Sequence, residues 1–250
     1  MPLYFIGLGL SNEKDISIYG LEAIKKCDLV YLENYTSALN CSKQDLEKFY
    51  GKKITLANRK MVENDDNEII KNSKVKNVAF LVAGDPLVAT THVDLFLRAK
   101  KEGIKCYVIH NASIISAIGV TGLQVYKFGK TTSIPFENQN IEAPYDVFKD
   151  NLSLGLHTLF LLDLNPEEEK FMSINDAIRF LLKVELKRNE KVFSEKTLCI
   201  GCARIGSENR IIKIGTAKDL LKHNFGKPVH CLIVPGKLHF MEEEGLKIYS

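Results

Sequence analysis

Three short strings put a polar side chain beside glycine, proline or asparagine where an apolar run stops, the pattern expected where a strand ends on a ligand. Residues 78–92, VAFLVAGDPLVATTH, break at Gly84-Asp85-Pro86. A glycine there permits close backbone approach, proline fixes the turn, and the carboxylate of Asp85 is free to accept hydrogen bonds or offset a positive charge. Residues 108–119, VIHNASIISAIG, leave a strand at His110, pass Asn111 and Ala112, and start a helix near Ser113. The Ser113 hydroxyl and nearby N–H groups then lie at a helix start, although serine there also serves as an ordinary N-cap.

The third string, Gly7-Leu8-Gly9, begins a dinucleotide fingerprint, and Glu33 stands where a ribose-binding acid would follow. That fingerprint needs a third glycine for close helix-to-strand packing, and the chain has Asn12 instead. The following EKDIS reads as a loop running into a helix cap. A dinucleotide-binding oxidoreductase is therefore a minor alternative, and both glycines can also be read as merely turning the chain.

The elements carrying these strings alternate. LYFIGL (3–8), LVYLE (29–33), VAFLVA (78–83) and KCYVIH (105–110) read as strands; a helical stripe through Ile18, Leu21, Ala23, Ile24 and Cys27 follows the first, and HVDLFLRAKKEG precedes the last. Strands alternating with helices and lacking hairpin signals imply a mostly parallel sheet, whose carboxyl ends form one rim, and all three strings fall there. Periodicity lapses through QVYKFGKTTSIPF (124–136), so a boundary is expected near Phe128, with domains at 1–127 and 128–250. Beyond it HTLFLLDL, KTLCIGCAR, RIIKIG and HCLIVPG read as strands of a mixed sheet. Two helices are interleaved: SINDAIRFLLKVELK, with Ser173 and Asp176 spaced for a capping box, and TAKDLLKHN. The fold class is α/β with two α/β domains, the first sheet mostly parallel and the second mixed.

Composition excludes several functions. With 34 basic and 31 acidic residues the net charge is +3, too balanced for electrostatic wrapping of nucleic acid, and 45% hydrophobic with 26% charged residues suits a globular enzyme. The six cysteines (Cys27, Cys41, Cys106, Cys199, Cys202, Cys231) are scattered as expected of reduced core residues. Cys199 and Cys202 form a C-x-x-C with no second pair to complete a tetrahedral site, so no metal is expected. No apolar run reaches the roughly 18 residues of a spanning helix, and MPLYFIGLGL is unlike a signal peptide, so a cytoplasmic location without membrane association is expected.

The strings YFIGLGL, DLVYLENYTS, VAFLVAGDPLVATTHVDL, VIHNASIISAIGVTGLQVYKFGKTTSI, GLHTLFLLDL, ARIGS and LIVPGKLH span nearly the whole chain. Together they resemble the diphthine synthase family, the S-adenosylmethionine-dependent methyltransferases of diphthamide biosynthesis within the wider tetrapyrrole-methylase-like group. The resemblance implies two α/β domains with the cofactor in the cleft between them, a homodimer, and translation elongation factor 2 as the protein substrate, methylated at a modified histidine. It places S-adenosylmethionine contacts, vacated as S-adenosylhomocysteine, on Leu10, Asp85, Val88, Ser113, Ile114, Leu162, Ile205 and His230. Val88 departs from the glycine some members carry, which implies a contact through backbone or one tolerant of the side chain. The resemblance singles out no catalytic base: the Gly-Asp-Pro string reads as a binding turn rather than part of an acid/base pair. A methyltransferase of the same fold acting on a tetrapyrrole precursor is the main alternative, from which YKFGKTTSI and GKLH point away. A non-enzymatic adaptor of the elongation factor is disfavoured by the intact strand-end turns.

Overall fold

A computed structural model describes residues 1–64 and 68–249. The chain divides into two compact units, one comprising Met1–Ile115 and Asn165–Glu168, the other Ser116–Leu164 and the chain from Glu169 onward.

In the first unit β1 (Pro2–Gly7), α1 (Ile18–Lys25), β2 (Leu29–Glu33), α2 (Lys43–Tyr50), β3 (Thr55–Ala57), α3 (Arg59–Glu63), α4 (Glu68–Ser73), β4 (Val78–Val82), α5 (Val93–Lys101) and β5 (Lys105–Ile109) follow one another. The strands form a sheet in the order β3-β2-β4-β1-β5, every pair parallel. Side chains on successive strand residues point to opposite faces. Thus Leu3, Phe5, Val78, Phe80 and Val82 pack with Leu95 and Ala99 of α5 on one side, while Ile6, Ala79 and Leu81 pack with Ile24 of α1 and Leu46 of α2 on the other. With helices on both faces β4 is buried throughout, which explains why it reads as a continuous apolar run. From β1 the chain runs on to β2 and from β4 to β5, on opposite sides of that pair. This is the switch in strand order at which open α/β sheets leave a crevice beyond the carboxyl ends.

Ile114–Ala117 forms a short helix, α6, of four residues that passes into a 3-10 turn, Ile118–Thr121. The helix expected from Ser113 is therefore too short to offer a helix-terminal anion site, because few peptide dipoles align.

The second unit contains β6 (Thr132–Ile134), α7 (Ala143–Ser153), β7 (Thr158–Leu162), β8 (Leu164–Asn165, whose last residue falls in the first unit), β9 (Lys170–Phe171), α8 (Ile174–Arg188), β10 (Leu198–Ala203), β11 (Ile211–Thr216), α9 (Ala217–Leu220), β12 (His230–Val234) and α10 (Phe240–Lys247). Its main sheet has the order β11-β10-β12-β7-β6, antiparallel except for the β6–β7 pair, a mixed sheet as read from the sequence. The Ser173–Asp176 capping box is present and sets the start of α8, whose Ile174, Ala177, Ile178, Leu181 and Val184 enter the core beside Tyr145 and Phe148 of α7. The expectation of two helices here was too low: α7 and α10 also form, and the helix read in TAKDLLKHN shrinks to four residues.

The division at Ile115 precedes the expected Phe128. Residues 116–127 belong to the second unit because Gln124 N and Lys127 Nζ both donate to the buried carboxylate of Glu242 on α10, and the Tyr249 hydroxyl donates to Val120 O. These ties span more than a hundred positions of sequence, so local periodicity carries no trace of them.

Candidate functional site

The three turns read from the sequence meet at one rim of the first unit. β1 and β4 are paired neighbours, and beyond their ends Gly84 N donates to Gly9 O at 2.7 Å while Gly9 N donates to Gly84 O at 3.3 Å. Both glycines have left-handed φ, +76° and +78°, which a side chain would strain. Gly7 has a different role: a Cβ there would stand 2.6 Å from Gly84 O and 2.8 Å from Asn111 Cβ, so its bare backbone is what lets the turns converge.

Asn111 holds the turns together. Its Nδ2 donates to Gly7 O and to Asp15 O, each at 3.0 Å. Asp15 Oδ2 in turn accepts from Leu10 N at 3.2 Å and Ser11 N at 2.7 Å, which fixes the loop after β1. Asn12 caps a 3-10 turn by accepting from Lys14 N, and Ser17 caps α1. No helix opens directly on Gly7-Leu8-Gly9, in keeping with the missing third glycine. Glu33 is buried, and its Oε1 accepts from Tyr35 N and Thr36 N, so this acid braces its own turn.

Asp85 is 5% exposed. Its Oδ1 accepts from Leu87 N at 3.0 Å, and its Oδ2 from His110 Nδ1 at 2.8 Å and Asn111 N at 3.3 Å. A carboxylate offers about four acceptor positions, so one remains on Oδ1. Space is also present: the nearest atom to a Cβ built on Gly84 is Ala112 O at 3.9 Å. Leu10 and Ile114 are half-buried, Ser113 is buried and Val88 exposed. Val88 N also donates to Asp85 O at 3.4 Å. The first unit thus gathers Leu10, Asp85, Val88, Ser113 and Ile114 on the turns of one rim.

The other three residues gather within the second unit. Leu162 ends β7, Ile205 lies just beyond β10, and His230 opens β12; Ala203 pairs with His230 and Leu161 with Cys231, so all three occupy one end of that sheet. Leu162 and Ile205 are buried. His230 Nε2 lies 3.1 Å from Lys227 O and so carries the hydrogen, while its buried Nδ1 has no partner. Burial pushes this imidazole down, the Lys227 carbonyl opposes the shift, and Arg204 adds to it. Nδ1 is therefore an acceptor lacking a donor, and a ligand N–H or O–H could supply one.

The sequence places His110 and Asn111 on the rim string but gives no sign of their roles there, and it does not single out Asp15 at all. For Asn111 a signal existed, an asparagine at a strand end, but its partners lie about a hundred positions away. Cys199 and Cys202 are buried in β10, with Cys202 opposite Cys231 of β12. Among the described residues no three His, Cys, Asp or Glu side chains group as a metal site, and no helix is long and apolar enough to cross a membrane.

Residues 2–221 match the family model of tetrapyrrole (corrin/porphyrin) methylases. A diphthine synthase of Methanococcus maripaludis is 50% identical over 98% of this chain and 97% of its own length. The chain belongs to the diphthine synthase family. A relative in Arabidopsis thaliana, named as a diphthine methyl ester synthase, is 48% identical over 99% of this chain and 98% of its own. Among solved structures of the diphthine synthase family, one from Entamoeba histolytica superposes with a TM-score of 0.91 at 45% identity, covering 99% of this chain and 98% of that one. Another diphthine synthase gives 0.92 at 39% identity, covering 100% and 96%. As a member of the diphthine synthase family the protein is a methyltransferase, and the relatives do not favour the oxidoreductase or tetrapyrrole readings.

Proposed function

We propose that the protein methylates the modified histidine, the diphthamide precursor, of translation elongation factor 2, with S-adenosylmethionine as donor, giving diphthine or its methyl ester. The observation carrying this reading is the 50% identity to a diphthine synthase over nearly the whole chain. The names of the relatives cover both products, so the number of methyl groups is left to measurement.

When bound, S-adenosylmethionine supplies an electrophilic methyl on a sulfonium whose departure leaves a neutral thioether. The fit of this chain's residues rests on the room above Gly84 and the acceptor position left on Asp85. Asp85 would accept from the cofactor's ammonium group while its other bonds keep the turn rigid. Leu10, Val88, Ser113 and Ile114 would line the same rim, and Leu162, Ile205 and His230 stay in the proposal on the strength of the resemblance. With a neutral leaving group no oxyanion needs stabilising, so rigid positioning is what these residues contribute; near-attack geometry is worth up to about 7 to 11 kcal/mol in favourable cases.

The protein is proposed to act in the cytoplasm as a homodimer, with an interface on the order of 1,600 Å² or more. Light scattering giving the mass of one 28.2 kDa chain would count against the dimer. The function is tested by incubating the protein with S-adenosylmethionine and the precursor form of elongation factor 2 and weighing the product by mass spectrometry. Calorimetry alongside should show S-adenosylhomocysteine binding and none of NAD. Tight NAD binding without response to the sulfur compounds would overturn the assignment.

A further inference from the structure

His110 and Asp85 are twenty-five positions apart in sequence, yet the imidazole Nδ1 lies 2.8 Å from Asp85 Oδ2. The two side chains live in opposite environments: that of Asp85 is 6% exposed and that of His110 71%. Leu87 N and Asn111 N already donate to the same carboxylate, and an ionised carboxylate only accepts. Nδ1 therefore carries the hydrogen and donates it. The tautomer is fixed by that bond, leaving Nε2 with its lone pair and no bond to another described side chain or backbone group. The imidazole also stands on rigid support, because Asn111 next to it is bonded to Gly7 at the end of β1 and to Asp15.

We propose that His110, oriented by Asp85, accepts the proton that the acceptor amine must lose before each methyl transfer. This rests on the methyltransferase reading given under Proposed function. An amine that is an ammonium at neutral pH cannot attack a methyl carbon, since its lone pair is occupied by the proton. In the proposed step the ammonium hands that proton to Nε2, and the freed lone pair forms the N–C bond. The methyl–sulfur bond breaks with its electron pair going to sulfur, and the imidazolium then releases its proton to solvent. One proton is released for each methyl transferred to nitrogen, and charge balances without a further reactant. One carboxylate thus orients the base and braces the cofactor turn.

The test uses the full chain with S-adenosylmethionine and the precursor form of elongation factor 2, and S-adenosylhomocysteine for binding. In His110→Asn the side-chain amide can still donate to Asp85 but has no basic nitrogen. The rate per folded molecule should fall by about 10² to 10⁴, the usual contribution of a positioned base, while S-adenosylhomocysteine affinity stays within about threefold. Because the side chain is exposed, His110→Ala should also fold, and imidazole added to the buffer should restore part of its rate. Native-rate methylation by His110→Asn would overturn the proposal alone. So would equal losses of rate and of S-adenosylhomocysteine binding, which would make His110 only a brace for the Asp85 turn. If the native protein binds S-adenosylhomocysteine but leaves the precursor unmethylated, the functional reading fails and this proposal fails with it.

Discussion

His157 Nε2 and Glu242 Oε1 lie 3.0 Å apart, and neither side chain is exposed to solvent. Gly236 N donates to His157 Nδ1, so the imidazole is neutral and its Nε2–H donates to the carboxylate. Gln124 N, His239 N and Lys127 Nζ donate to the same carboxylate. Glu242 thus ties the segment after Ser116 to helix α10 and to the strand-end residue His157. Glu242→Gln keeps the shape but leaves the Lys127 ammonium, 23% exposed, without its counter-charge. A loss of about 3 kcal/mol is expected, at the lower end for breaking a buried pair. Chemical denaturation compared with the native chain checks it, and a loss under about 1 kcal/mol would mean that this pair is effectively solvated.

Stability should fall in two stages as pH drops. Burial pushes the His92 imidazole down to about 4, only partly opposed by the Pro86 carbonyl. Its folded value lies below the ordinary value of about 6.5, so its contribution is complete above about pH 6.5 and is lost as pH falls toward 4, by at most about 3 kcal/mol. Burial would raise the Glu242 carboxyl, but Lys127, the Gln124 and His239 N–H groups and His157 together hold it down to about 2. That contribution is present above the ordinary value of about 4.3 and is lost between there and about pH 2. Unfolding midpoints across this range should show both phases. His92→Phe, which keeps a ring beside Tyr35 and Phe80, should shrink the first phase, to which His157 and His230, also pushed down by burial, contribute as well, and leave the second unchanged.

Asp85→Ala should weaken S-adenosylhomocysteine binding by about 1 to 3 kcal/mol, the range for losing a charged hydrogen-bond partner. It should also lower stability by a similar amount, because Leu87 N and Asn111 N lose their acceptor in a buried turn. Ser113→Ala should cost less affinity, since only a hydroxyl is removed. Calorimetry paired with thermal melts separates the two effects. Unchanged affinity in a less stable Asp85→Ala would make Asp85 a structural turn residue and displace the proposed site.

Gly84→Ala and Gly9→Ala should differ although both positions have left-handed φ. At Gly84 there is room for the methyl group, so the cost is backbone strain, about 1 to 2 kcal/mol. At Gly9 the new Cβ would meet Asp15 Cβ at 2.6 Å, and Asp15 holds Leu10 N and Ser11 N. Overpacking should add about 1 to 3 kcal/mol there. Equal unfolding midpoints for the two variants would contradict the clash at Gly9.

Local chemistry makes much of this protein legible in its sequence. The strands β1, β2 and β4 declare themselves because buried parallel strands are continuous apolar runs, the half-buried edge strand β5 through its run of Tyr107, Val108 and Ile109, and α8 declares its start through Ser173 and Asp176. Three-residue strands such as β3 and β6 carry no such signal, since their neighbours' hydrogen bonds create them. The same division applies at the rim. Gly7-Leu8-Gly9, Gly84-Asp85-Pro86 and the string around Ser113 are recognisable as turns from residue type alone, because glycine and proline restrict or free the backbone wherever they occur. That Gly9 bonds Gly84, that Asn111 ties Gly7 to Asp15, and that Asp85 orients His110 are decided only in the folded chain. Each of these bonds joins residues far apart in sequence, and a hydrogen bond within about 3 Å between such groups exists only once the sheet has aligned its strand ends.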